Sequence, residues 1–124
     1  MSENIFEFDS RLDAAFLESA YDNDKEHAAF VFEQFLLNYP LQIKQVEDSF
    51  ISGDTNLLKQ KLHKVKVAFS FVGLTNITSK AEIIERKCAE ITDIRYVTDL
   101  YTDFKNQLAE FIPIVEMEFE RLRA

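Results

Sequence analysis

Apolar residues recur in this chain every three or four positions almost from end to end, and the alternation of a β-strand is absent throughout. That period belongs to α-helices with one buried face. Two glycines and two prolines are too few to break the pattern often. The clearest case is Leu57 to Gly73, LLKQKLHKVKVAFSFVG. At about 100° per residue, Leu58, Leu62, Val65, Ala68, Phe69 and Val72 fall on one side of it. Lys59, His63, Lys66, Val67 and Ser70 fall in a stripe on the opposite, wet side.

The same logic divides the whole chain. Met1 to Phe8 is a loosely helical or extended lead that tucks Ile5, Phe6 and Phe8 onto the helices. Ser10 and Asp13 have capping-box-like spacing ahead of a short first helix carrying Leu12, Ala15, Phe16 and Ala20. Asp22, Asn23 and Asp24 end it and supply the next cap. A second helix carries Ala28, Phe32, Phe35, Leu36, Tyr39, Ile43, Val46 and Phe50. Its stripe stays in phase across Pro40, which predicts one long kinked helix rather than two. Gly53 stands where a left-handed cap is wanted, Asp54 or Thr55 caps the third helix, and Gly73 ends it.

Asn76 is the expected cap of a fourth helix with Ile77, Ala81, Ile84, Cys88 and Ile91 on its apolar face. Asp93 opens the last segment, where Val97, Leu100, Phe104, Leu108, Phe111, Val115, Phe119 and Leu122 recur and Pro113 kinks or divides the helix. Short connections between long amphipathic helices imply antiparallel neighbours. The expected fold is all-α: an antiparallel up-down four-helix bundle with a short additional N-terminal helix, one domain over residues 1–124.

Composition narrows the function. Twelve phenylalanines at core spacing are assigned to packing. A net charge of −8 argues against nucleic-acid binding, because phosphates would be repelled by most of the surface. No apolar run approaches the roughly 18 residues that cross a bilayer, so no membrane partner is expected. The acidic start lacks the pattern of a secretory signal, and a single cysteine, Cys88, excludes an internal disulfide; a cytoplasmic location follows. Cys88 falls on an apolar stripe and reads as a buried, inert thiol. His27 reads as a solvated histidine. DNDKE lacks the central glycine and terminal glutamate of a calcium loop, and no Glu-x-x-His pair suggests a di-iron site, so no metal is expected.

Against this acidic background, Thr55 to Ala81 contains no Asp or Glu and has lysines at 59, 61, 64, 66 and 80. His63 stands alone on the wet face, with Lys59 one turn before it and Lys66 one turn after. Ammonium neighbours disfavour an imidazolium and leave a nucleophilic ring. They can also donate charge-assisted hydrogen bonds to a phosphoryl group, each worth about 1.5–3 kcal/mol before solvent screening. The plainer reading of His63 is an ordinary solvent-facing histidine.

The run from His63 to Gly73, HKVKVAFSFVG, resembles the signature of histidine-containing phosphotransfer (HPt) domains. In that family the phosphorylated histidine is followed by an apolar residue two on, lysine three on, glycine four on, a small residue five on and glycine ten on. His63, Val65, Lys66, Ala68 and Gly73 match; Val67 departs, standing where the family has glycine. Val67 either crowds the imidazole or joins Phe71 in an apolar docking patch; alternatively Phe71 is covered by a neighbouring helix and Val67 is a stray exposed residue.

The resemblance implies a phosphorelay carrier in two-component signalling. His63 would accept and donate a phosphoryl group, Lys66, Lys59 and Ser70 would stabilise it, and Lys64, Val67 and Phe71 would dock the partner. That partner would be a response-regulator receiver domain, or a histidine kinase. The carrier would need no cofactor of its own, Mg²⁺ belonging to the receiver. It would be a phosphoryl carrier rather than a turnover enzyme, with no nucleotide site in evidence. The alternative is a non-phosphorylated module that docks receiver domains or another helical partner. A monomer is expected, since the one recognisable exposed patch is given to that partner.

Overall fold

The computed structural model describes residues 5–124, so the expectations for Met1–Asn4 fall outside it. The described chain is helical without strands: α1 (Ala14–Tyr21), α2 (Lys25–Ile51), α3 (Thr55–Ser70), α4 (Thr75–Glu90) and α5 (Thr98–Arg123), with a 3₁₀ turn at Ile94–Val97 leading into α5. None of the described helices is long and apolar enough to cross a membrane.

Three aspartates start three helices. Asp13, Asp24 and Asp54 accept from the backbone N–H of Phe16, His27 and Leu57 at 3.1, 3.0 and 2.9 Å. Each satisfies a donor that the first turn leaves unpaired. Gly53 and Gly73 both adopt left-handed backbone after α2 and α3. Pro40 and Pro113 lie inside continuous helices, so α5 is not divided at its proline.

Phe32, Phe69 and Phe104 are fully buried at the centre of the core. The Phe69 ring meets Phe35 and Phe104 edge-on, with centroids 6.0 and 5.9 Å apart, a favoured aromatic geometry. The most extensive packing is between α3 and α4, followed by α2 on α3 and on α5. The α3–α4 turn is pinned from outside: Asp13 donates its N–H to the Gly73 carbonyl at 2.8 Å, and the Thr75 hydroxyl donates to the Asp13 carboxylate at 2.9 Å.

Several sequence expectations need correction. In α1 the buried face is Leu17 and Tyr21, while Ala15, Phe16 and Ala20 are exposed; Asp13 rather than Ser10 caps the helix. Leu12 is buried but precedes α1. Asn76 is not a cap: α4 begins at Thr75, with Leu74, two residues before Asn76, at the cap position and no side-chain cap bond. Leu100 is exposed and Tyr101 takes its core position, its ring stacked on Phe50 with centroids 4.1 Å apart. Phe6 and Phe8 tuck against the core as expected, whereas Ile5 is exposed.

Candidate functional site

The register of α3 fixes where His63 points. Leu58, Leu62, Val65 and Phe69 are buried against the core. His63 therefore projects outward, its side chain 73% exposed. It is not alone on that surface. Glu85 of α4 is almost fully buried, and its Oε1 lies 2.9 Å from His63 Nδ1. A carboxylate can only accept, so Nδ1 carries the hydrogen and the lone pair of the neutral ring sits on Nε2. Nε2 has no protein partner among the described residues.

The charges differ from the sequence expectation of a purely cationic stripe. Lys66 is not free to meet solvent: its side chain is only 18% exposed and its Nζ lies 2.9 Å from Glu85 Oε2 and 3.7 Å from Glu82 Oε2. The contact with Glu85 Oε2 is an ion pair without hydrogen-bond alignment, so that buried oxygen has a counter-charge but no well-aimed donor. Glu85 thus bridges the imidazole on one oxygen and the ammonium on the other. Ser70 is likewise turned inward, its hydroxyl 2.8 Å from that of Thr78 on α4, which also donates to the Lys66 carbonyl at 3.1 Å. Neither Lys66 nor Ser70 is held ready for an outside group.

The cations without an ion-pair partner lie elsewhere. Lys59, Lys61 and Lys64 line, with His63 and Glu85, a depression of about 420 Å³. A second of about 410 Å³ runs between α3 and α4 and brings in Arg86 beside Lys59 and Lys66. Lys59, Lys61, Lys64 and Arg86 form no ion pair among the described residues. Cys88, one turn beyond Glu85, is buried, and desolvation pushes its thiol above the ordinary range while nearby Lys59 opposes this. It belongs to the packing beneath the site.

On the other side of His63 stands an apolar ridge. Val67, one turn on, is 55% exposed, and Phe71 follows it one turn later at 42%. Phe16 of α1 meets Phe71 with ring centroids 6.2 Å apart. The Tyr21 hydroxyl donates to the Phe71 carbonyl at 2.6 Å and fixes the end of α3 beneath the ridge. Val67 does not wall off the imidazole, and Phe71 is not covered. No protein family, curated protein or solved structure matches this chain.

His63, Lys59, Lys64, Val67 and Phe71, expected from the sequence to lie together, all lie along the outer side of α3 or at its end. Glu85, Arg86 and Phe16 are not among the residues expected there. Glu85 left a trace: it sits one turn after Ala81 on the edge of the apolar stripe of α4, where a carboxylate is costly unless paired.

Proposed function

We propose that this chain is a phosphorelay carrier of the HPt kind, an antiparallel up-down four-helix bundle with a short additional N-terminal helix, and that His63 receives and passes on a phosphoryl group. The observation that carries this reading is the His63 ring itself: open to solvent, with Nδ1 tied to buried Glu85 and Nε2 unpartnered among the described residues.

Nε2 attacks the phosphorus of an aspartyl phosphate in a receiver domain. The Nε2–P bond forms, the P–O bond to the aspartate breaks, and the carboxylate leaves with its electron pair. The proton stays on Nδ1, where Glu85 stabilises the positive charge that develops on the ring. The reverse step runs through the same arrangement. Lys59, Lys61, Lys64 and Arg86 supply the positive field around the transferred group, and Lys66 acts through Glu85 by holding the carboxylate in place. Mg²⁺ belongs to the receiver in this scheme. The Val67–Phe71–Phe16 ridge offers the apolar part of the docking surface, and the lysines favour encounter with an acidic receiver pocket.

The test is to mix the chain with a phosphorylated receiver domain and follow the label. Acid-labile, base-stable phosphate on the carrier, abolished by His63→Gln, is the expected result. A second reading, a docking module that carries no phosphate, is favoured by Val67 standing exposed one turn from His63. Receiver binding without label transfer supports it instead.

A further inference from the structure

The α2 helix carries a second exposed apolar row, on the side turned away from the core. Phe30, Leu37, Leu41 and Ile51 are 59, 68, 64 and 72% exposed. Their numbers, with Gln34, Lys44 and Asp48 filling the gaps, step by four and three residues in alternation. That spacing makes a single seam along one helix, the arrangement by which two helices pack together. Isolated exposed leucines need no explanation, but a row along a 27-residue helix does.

We infer that this seam joins two copies of the chain, with their α2 helices antiparallel about a two-fold axis. The charges select the geometry. A parallel pairing sets Lys44 against Lys44 and Asp48 against Asp48. An antiparallel pairing centred between Leu37 and Leu41 sets Leu37 of one copy against Leu41 of the other, twice. It also sets Lys44 of each copy across from Gln34 and next to Glu33 of the other, and Phe30 across from Asp48, one turn from Ile51. The patch complements itself under a two-fold axis, as a closed dimer requires.

In the single chain Lys44 pairs with Asp48 at 3.0 Å, but both side chains are largely in water, 70 and 61% exposed. Such a pair holds weakly and exchanges partners readily. Four exposed apolar side chains per copy make a small contact beside the roughly 800 Å² per partner of a standard interface. The dimer is therefore weak and concentration-dependent. It leaves the α3–α4 face of both copies open, so the assembly presents two His63 rings. A dimeric partner gains affinity from this without any new contact. The pairing does not depend on whether His63 carries phosphate.

Sedimentation equilibrium on the full chain, from about 5 to 500 µM, measures it by mass action. The expected mass climbs from 14.5 kDa toward twice that value. Leu37→Glu and Leu41→Glu, both at exposed positions and checked for unchanged circular dichroism, should each weaken the dimer by about tenfold or more. Glu33→Lys and Lys44→Glu should each weaken it severalfold at low salt, and the double variant should restore it. A mass of 14.5 kDa at every concentration overturns the proposal. So does a dimer indifferent to both leucine changes, or a double charge variant that pairs no better than the singles.

Discussion

Replacing Glu85 with alanine removes the carboxylate that holds His63 Nδ1 at 2.9 Å, leaving the fully buried apolar neighbours Ile84 and Ala81 in place. Two things are lost together: the acceptor that keeps the hydrogen on Nδ1, and the negative charge that would offset the ring's charge during the proposed transfer. A hydrogen bond between charged groups is worth about 1.5–3 kcal/mol. The ring is 73% exposed, so solvent screening puts the effect at the lower end. About 1.5 kcal/mol off the transition state is a fall of roughly tenfold in rate. Glu85→Gln keeps an acceptor oxygen but no charge, and should fall between wild type and Glu85→Ala. The assay is the single-turnover rate of phosphoryl transfer from a phosphorylated receiver, read beside the nitrogen NMR shifts that report the His63 tautomer. Because Glu85→Ala also frees Lys66, Lys66→Met serves as the control: it leaves the contact between His63 and Glu85 and should cost less. Transfer at the wild-type rate by Glu85→Ala, with the Nδ1–H tautomer retained, would refute the role given to Glu85.

Three further predictions concern the scaffold. Phe69→Ala empties a fully buried ring site between Phe35 and Phe104 and should cost about 3–5 kcal/mol in urea unfolding, with an unchanged slope. Gly73→Ala should be clearly more damaging than Gly53→Ala. Both glycines are left-handed, a conformation that costs other residues about 1–2 kcal/mol, but an added Cβ at Gly73 would meet Leu12 Cβ and Leu17 Cδ1 at 2.8 Å, while at Gly53 the nearest atom is 3.8 Å away. Comparing their melting temperatures with wild type checks this, and equal losses would mean the Leu12–Leu17 contact yields freely. Finally, the Tyr101 hydroxyl, aided by Lys105, holds the Glu47 carboxyl below its ordinary 4.5. A carboxyl lowered by folding stabilises the fold above that value, and the contribution fades as pH drops through the lowered one. The stability gap between Tyr101→Phe and wild type should therefore be wider at pH 7 than at pH 3; a gap constant across that range speaks against the coupling.

Local chemistry made much of the scaffold legible in the chain. Helix starts are written in single carboxylates, as at Asp24 and Asp54, and helix ends in Gly53 and Gly73, because capping involves only near neighbours in sequence. The buried faces of α2, α3 and α4 follow the same rule. In α1 a helix of eight residues offers too little periodicity to fix its phase, and Phe16, expected on its buried face, lies on the surface.

By itself, then, the sequence determined that the chain is helical, where its long helices run, and that His63 faces away from the apolar stripe of α3. Each of these depends on 3.6-residue geometry within one element. Only the tertiary structure decided what surrounds that ring. Glu85 lies 22 positions away, on a different helix, and reaches His63 because α3 and α4 pack side by side. The same packing turned Lys66 and Ser70 inward toward α4 and left Lys59, Lys61 and Lys64 without an ion pair among the described residues. Period fixes which way a side chain leaves its own helix; what it meets there depends on the neighbouring helix.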